Sequence, residues 1–288
     1  MKLLSSQIIS VSRRTDIPAF YSEWFMNRIR AGYCTVPNPF NAKQVSYVSL
    51  KPQDVRAIVF WTRDPRPLIK YLPELDRGGY KYYFQQTIIG YPRSIDPKSP
   101  PVQGAVKTFQ ELSKLIGREK VIWRYDPILL SDIISFEWHV KRLSFLIERL
   151  KDYTNRLIIS FIDPYRKMTT RMDREISAYN RLIKWIGKRA GEAGIEAQSC
   201  AEEADLKKYG ITHGKCIDDG LIAKITDLKL ILKKDPRQRK LCGCVVSKDI
   251  GVNNTCLFGC KYCYATGNIM TAKKNFSSHN IKSPSLME

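Results

Sequence analysis

Six runs of β-branched and aromatic residues recur along this chain, each closing on a polar or charged cluster and most leading into a helical stretch. The runs are Ile8–Ser12, Ala57–Trp61, Lys81–Thr87, Val121–Asp126, Leu157–Ile162 and Ile195–Ser199. Their composition suits buried strands. The intervening segments have helical spacing: Pro18 begins one helix that runs to about Arg30, and Gly117 closes another at Ile116. Phe136, Val140, Leu143, Ile147 and Leu150 form one apolar stripe, and Ile176, Tyr179, Ile183 and Ile186 form another. Strand and helix alternating in this way imply an α/β fold with a parallel sheet and helices outside it. The lengths and order favour a (β/α) barrel over residues 1–209, complete or partial and TIM-like. No Gly-x-Gly-x-x-Gly follows any strand, which argues against a dinucleotide-binding sheet.

The polar clusters fall at the C-terminal ends of the strands, where barrel active sites are built. Arg13, Arg14, Asp16, Arg63, Gln85, Arg124, Asp126, Asp163 and Glu202 would therefore face one mouth. Arg13, Arg14, Arg63 and Arg124 are candidates for binding an anionic substrate. Asp16, Asp126 and Glu202 are candidates for polar substrate contacts or proton transfer. For any one of these residues the alternative is a salt bridge or a helix cap. The net charge of +20 in 288 residues attracts polyanions, which makes nucleic acid a natural partner, with a solvated lysine surface as the alternative. No run is long enough to span a membrane, and Met1–Ser6 is too short for a signal peptide. The expectation is a cytoplasmic protein.

Past residue 209 the composition changes. Residues 210–240 read as a helix around Leu221–Leu232 followed by a basic linker from Lys233 to Lys240. Residues 241–270 are a cysteine-rich metal segment, and 271–288 a flexible tail. Five of the eight cysteines fall between Cys242 and Cys263. In a cytosolic chain such clustering points to metal or redox chemistry rather than disulfides. Soft thiolates suit zinc and iron–sulfur centres. Zinc ribbons place two close pairs apart, whereas Cys256-x3-Cys260-x2-Cys263 offers three close ligands and leaves one iron of a four-iron four-sulfur cluster open. Cys200, Cys216, Cys242 and Cys244 remain, enough for a second cluster or a zinc site, or for one of them to cap the open iron. Only three histidines are present, too few for a histidine-based metallohydrolase; His213 is a minor ligand candidate. Cys34 reads as a buried small hydrophobe.

The Cys256, Cys260 and Cys263 spacing, with Tyr262 directly before the last cysteine, resembles the radical S-adenosylmethionine signature. Its Tyr262-Cys263-Tyr264 ending is similar to the spore photoproduct lyase group, which acts on DNA. The resemblance implies a four-iron cluster on these three cysteines, S-adenosylmethionine on the open iron, Tyr262 beside the adenine, and an electron donor such as flavodoxin or ferredoxin. In that superfamily the motif follows the first strand; here it follows the whole strand series. Over nearly the full length, Ser12–Pro18, Val59–Thr62, Ile122–Pro127, Cys200–Glu203, His213–Asp218 and the terminal cysteines resemble the family catalogued as domain of unknown function 1848. That resemblance implies a C-terminal iron–sulfur segment on a barrel and names no activity. The functional expectation is an iron–sulfur enzyme acting on an anionic, nucleotide-like or nucleic-acid-like substrate. The alternatives are a nucleic-acid-binding protein with a structural zinc or iron–sulfur site, and an electron-transfer protein.

Overall fold

The computed structural model describes residues 7–38, 41–162, 176–228 and 232–287. Strand β1 (Gln7–Val11) buries four residues in succession, as a strand covered on both faces must. The helix expected from Pro18 to Arg30 is divided at Tyr21 into α1 (Ile17–Phe20) and α2 (Ser22–Ala31). Next, β2 (Tyr33–Asn38) and β3 (Asn41–Ser49) pair as an antiparallel hairpin outside the main sheet. The expected rhythm then appears as β4 (Val55–Thr62), α3 (Arg66–Ile69), α4 (Leu72–Arg77), β5 (Tyr82–Thr87), α5 (Val102–Ile116) and β6 (Val121–Ile128). It continues through α6 (Phe136–Leu150), β7 (Arg156–Phe161), α7 (Ile176–Glu192) and β8 (Glu196–Ser199). The last elements are β9 (Ile211–His213), α8 (Asp219–Thr226), β10 (Lys248–Asp249) and α9 (Ile269–Ser277).

The main sheet has eight strands in the order β10-β1-β4-β5-β6-β7-β8-β9, and every pairing in it is parallel. The last strand of the chain therefore lies beside the first, with Ile9 against Lys248 and Ser10 against Asp249. A closed barrel is not formed, because β9 and β10 do not pair among the described residues. Two physical reasons are visible. These strands are only three and two residues long. The face a closed barrel would fill with strand side chains alone is also shared with other elements. Ile8, Val59, Tyr83, Ile122 and Ile158 pack there against Ile217, Leu221 and Ile222 and against Cys216, Cys244 and Val245.

The opposite face carries the larger core, where Ile9, Phe60, Phe84 and Trp123 meet Trp24 of α2, Phe109 of α5 and Leu143 of α6. Fully burying side chains of this size contributes roughly 1.5–3 kcal/mol each. The α6 stripe is buried at Leu143, Ile147 and Leu150, and His139 and Leu146 complete it.

Three segments after β9 differ from expectation. Helix α8 ends at Thr226, where Asp227 turns left-handed at φ 53°, and residues 229–231 lie outside the described residues. The basic run is not a free linker: the Val246 amide donates to the Lys233 carbonyl at 3.1 Å and the Asp235 amide to the Cys244 carbonyl at 2.9 Å. The tail is anchored rather than loose. The buried Trp24 indole donates to the Ser283 carbonyl at 2.9 Å, the Thr35 amide donates to the Pro284 carbonyl at 2.9 Å, and Leu286 is buried. Among the described residues no helix is long and apolar enough to cross a membrane.

Candidate metal centre and its cavity

The C-terminal ends of β1 and of β4 through β8 surround a cavity of about 440 Å³. Every cysteine after residue 199 lines it, including both Cys256, Cys260 and Cys263 and the separate set Cys200, Cys216, Cys242 and Cys244. So do Arg13, Arg14, Arg63, Arg124, Asp16, Asp126 and Tyr262. The sequence-predicted residues that do not line it are Gln85, fully buried beneath Arg124, and Glu202, which accepts the Phe161 amide at 2.9 Å and ties the end of β8 to β7. Asp163 lies outside the described residues. His213 stands exposed on β9, and Cys34 is a buried apolar residue whose thiol is pushed up to about 12 by burial.

The segment carrying the three clustered cysteines is held against β1 and α2. The Ile250 amide donates to the Ser10 carbonyl at 3.1 Å, and the Tyr21 hydroxyl to the Thr255 carbonyl at 2.8 Å. At Gly251 the chain passes so close to β1 that a Cβ would stand 2.0 Å from Ser12 Oγ. Gly259 turns it at φ +70°, a conformation that costs an L-residue roughly 1–2 kcal/mol. The Asn254 amide to the Ala265 carbonyl, 2.9 Å, closes the loop, and the Asn275 side chain of α9 braces it at the Asn254 carbonyl, also 2.9 Å. Burial, reinforced by the nearby Asp16 carboxyl, pushes the Cys256 thiol up to about 12, and burial likewise raises Cys260 against the pull of Arg63. Thiols so placed become thiolates when a metal supplies the charge. In kind and number they fit an iron–sulfur cluster, and the Thr266 amide already points at Cys263 Sγ, 3.3 Å away.

The other four cysteines are in mutual contact. Cys200 Sγ and Cys216 Sγ are 3.2 Å apart, and Cys216, Cys242 and Cys244 belong to one buried cluster against which Cys200 packs. Arg124 donates to Cys216 Sγ at 2.9 Å, and the Ile217 amide donates to Cys244 Sγ at 3.4 Å. Hydrogen bonds from Cys200 and Cys244, helped by Arg124, hold the Cys216 thiol well below its ordinary range, while Cys200 and Cys244 as donors are raised. Among the described residues no three cysteine, histidine or carboxylate side chains already stand in a metal-ligating array.

Each strand-end arginine has an internal carboxylate. Arg124 pairs with Asp126, which also contacts the Ser160 hydroxyl, and Arg124 stacks 4.9 Å over the Trp61 ring. Arg63 pairs with Asp96 at 3.0 Å and contacts the Tyr262 hydroxyl, which itself donates to Asp96 at 3.0 Å. Tyr262 is thus locked to β4 and the loop after β5 through its phenol. Asp16 accepts the Ala19 amide at 3.0 Å and the Arg63 amide at 2.6 Å, and burial nevertheless pushes its carboxyl up to about 7. It caps α1 as well as facing Cys256.

The residue that sequence reasoning missed is Asp249. It accepts from Ser10 and Ser12 hydroxyls at 2.8 and 2.7 Å and from the Arg13 amide at 2.8 Å, and it pairs with Arg14 at 3.2 Å. Burial pushes this carboxyl up, but Arg14 and those hydrogen bonds overcome it and leave it below its ordinary value. A two-residue strand has no apolar period, so only the isolated acid between Lys248 and Ile250 could have drawn attention to it. Trp61, Asp96 and Tyr264 were missed too; Tyr264 is 61% exposed at the cavity, its hydroxyl donating to the Arg13 carbonyl.

These features define an α/β protein with a parallel sheet and a thiol-lined, arginine-rich cavity at its strand ends. The chain belongs to the family described as Domain of unknown function (DUF1848), whose profile matches residues 8–265. No curated protein shows a significant match. Among solved structures, the chain is similar to a short-chain type dehydrogenase/reductase from Mycobacterium marinum at 8% identity and a TM-score of 0.27, over 68% of this chain and 75% of that one. It is also similar to a putative alpha-L-fucosidase from Bacteroides thetaiotaomicron at 9% identity and a TM-score of 0.30, over 79% and 84%. Similarity at this level carries no argument about activity.

Proposed function

We propose that this chain is an iron–sulfur enzyme with radical S-adenosylmethionine-type chemistry on an anionic, nucleotide-like or nucleic-acid-like substrate. The observation that carries the reading is the convergence of Cys256, Cys260 and Cys263 with the strand-end arginines on one 440 Å³ cavity. On this reading the three thiolates hold a four-iron cluster with one open iron, and the sheet is a barrel left open between β9 and β10. The chemistry such a cluster supplies is one-electron reductive cleavage of S-adenosylmethionine, driven by a flavodoxin- or ferredoxin-type donor in the cytoplasm. Five lining arginines against two lining aspartates give the cavity its preference for anions. Because Arg13, Arg14, Arg63 and Arg124 are each already paired, their remaining N–H groups contact the substrate. Asp126, held between Arg124 and Ser160, is positioned for a polar substrate contact, Asp16 keeps the β1 and β4 ends in place, and the Tyr262 ring flanks the cofactor.

Protein purified and reconstituted without oxygen should contain about four iron and four sulfide per chain beyond any second centre. The reduced cluster should change its paramagnetic spectrum when S-adenosylmethionine is added, and 5′-deoxyadenosine should be released with dithionite. A spectrum indifferent to S-adenosylmethionine, with no 5′-deoxyadenosine even in the presence of nucleic acid, refutes the reading. The +20 charge favours a second reading, a nucleic-acid-binding protein with a structural metal. It expects a colourless zinc protein whose DNA or RNA affinity falls steeply with salt.

A further inference from the structure

We propose that Cys200, Cys216, Cys242 and Cys244 form a second metal centre, a tetrathiolate site for one thiophilic divalent cation of the zinc class. The proposal is independent of the cluster on Cys256, Cys260 and Cys263. It rests first on convergence. The four thiols come from the end of β8, the turn after β9 and the segment before β10, yet they share one buried cluster on the wall of one cavity, with Cys200 and Cys216 3.2 Å apart. Nothing in local sequence brings Cys200 and Cys242 together; the fold does.

The surroundings are those of a thiolate site rather than of four stray apolar cysteines. The Ile217 amide donates to Cys244 Sγ at 3.4 Å, and Arg124 donates to Cys216 Sγ at 2.9 Å. A main-chain N–H and a guanidinium aimed at sulfur stabilise the thiolate more than the neutral thiol. The backbone around Cys244 is fixed on both sides, by the Val245 amide on the Ile217 carbonyl at 3.1 Å and the Asp235 amide on the Cys244 carbonyl at 2.9 Å. Binding leaves all four sulfurs as thiolates, releases whatever protons they still carry and gives the centre two net negative charges, which Arg124 faces. No oxidant or reductant is needed. A tetrahedron with sulfur–metal distances of about 2.3 Å has edges of roughly 3.8 Å, so Cys200 and Cys216 need to part by about half an ångström.

The position gives the centre a task. It joins β8 and β9 to the segment that leads into β10, across the side of the sheet where β9 and β10 fail to pair. A metal there staples the open side and fixes the cavity wall.

The test uses the full chain, prepared without oxygen or metal, and its Cys256→Ala/Cys260→Ala/Cys263→Ala variant. Both are titrated with Co²⁺, and cysteine alkylation is mapped by mass spectrometry with and without the ion. The expected result is one equivalent of Co²⁺ bound by the triple variant with sulfur-to-cobalt charge-transfer absorption, displaced by Zn²⁺ and weakened at least 100-fold by adding Cys216→Ser. Alkylation of Cys200, Cys216, Cys242 and Cys244 should fall at least tenfold when metal is present, while Cys34 is unaffected. The proposal is overturned if the folded triple variant binds no Co²⁺, or if Cys216→Ser leaves binding unchanged. If the triple variant does not fold, the alkylation map of the unaltered chain decides, and equal labelling of the four cysteines with and without metal overturns the proposal. A Cys200–Cys216 disulfide in the intact chain overturns it as well. Iron and sulfide lost from the triple variant report on the cluster separately, so each reading can fail alone.

Discussion

Asp249→Asn removes one charge and almost no volume, and the structure sets what this should cost. The carboxylate is 13% exposed and accepts hydrogen bonds from two serine hydroxyls and the Arg13 amide between 2.7 and 2.8 Å, while pairing with Arg14 at 3.2 Å and Arg13 at 3.7 Å. All of these partners are donors. The asparagine can accept through one oxygen only, and its NH2 must face a donor. Breaking a buried ion pair from one side costs about 3–5 kcal/mol, because the arginines are left uncompensated. Retention of the side-chain shape and one acceptor places the isostere near the lower end, about 3 kcal/mol. For a chain of this size that corresponds to a fall in Tm of roughly 5–12 °C. Urea titration and thermal circular dichroism read the effect directly, and Arg14→Met with the double variant isolates the pair. A coupling energy above about 1 kcal/mol is expected from groups in direct contact. A loss under about 1 kcal/mol for Asp249→Asn, with no coupling to Arg14, would falsify the view that this carboxylate holds β10 to β1.

Gly251→Ala places a Cβ 2.0 Å from Ser12 Oγ, itself bonded to Asp249. It should cost about 1–3 kcal/mol in urea unfolding and lower the iron bound per chain; an unchanged midpoint and iron content count against the described packing of the cysteine segment on β1. His139 is held by burial at about 4 rather than 6.5, with its ring nitrogens on the Tyr125 hydroxyl and the Leu129 carbonyl. Below pH 6.5 the unfolded chain gains a proton that the folded chain refuses until about pH 4, so stability falls as pH drops through that window, by up to about 3 kcal/mol. His139→Gln should flatten that slope in unfolding measured from pH 7 to 4, and an unaltered slope excludes His139 as its source.

Much of the sheet was legible because its central strands are self-declaring. Ala57–Trp61 and Val121–Asp126 are β-branched and aromatic runs, and they lie inside the observed β4 and β6. The cavity was legible for the same reason, since polar clusters at strand ends converge once the strands are parallel. The hairpin β2–β3 was missed because Lys43, Gln44 and Ser46 make β3 polar and exposed, although β2 buries Cys34 and Val36 in alternation. The undivided first helix was an error of geometry: Tyr21 has helix-compatible chemistry, but its hydroxyl is drawn to Thr255, 234 residues away. Whether the sheet closes was not legible, because the sequence rhythm counts strands without measuring them, and β9 and β10 are only three and two residues long. The partners of Arg14 and Arg63 could not be read, since Asp249 and Asp96 are remote in sequence, whereas Asp126 lies two residues from Arg124.

The position of β10 also orders events in time. The bond from Ser10 to Asp249 joins residues 239 positions apart, so one edge of β1 stays bare until the 239 residues up to Asp249 have been made. At about 5–20 residues per second of synthesis, that wait is roughly 10–50 s. Non-local pairing of this kind is the slow step in assembling a sheet. The ends of β4 to β8 can therefore be in place before the cysteines arrive, and the N-terminal arginines acquire their carboxylate last. Under the proposed function a metal would load only after those strands are in place, and the strand that seats the cysteine segment also covers an edge that would otherwise recruit other chains.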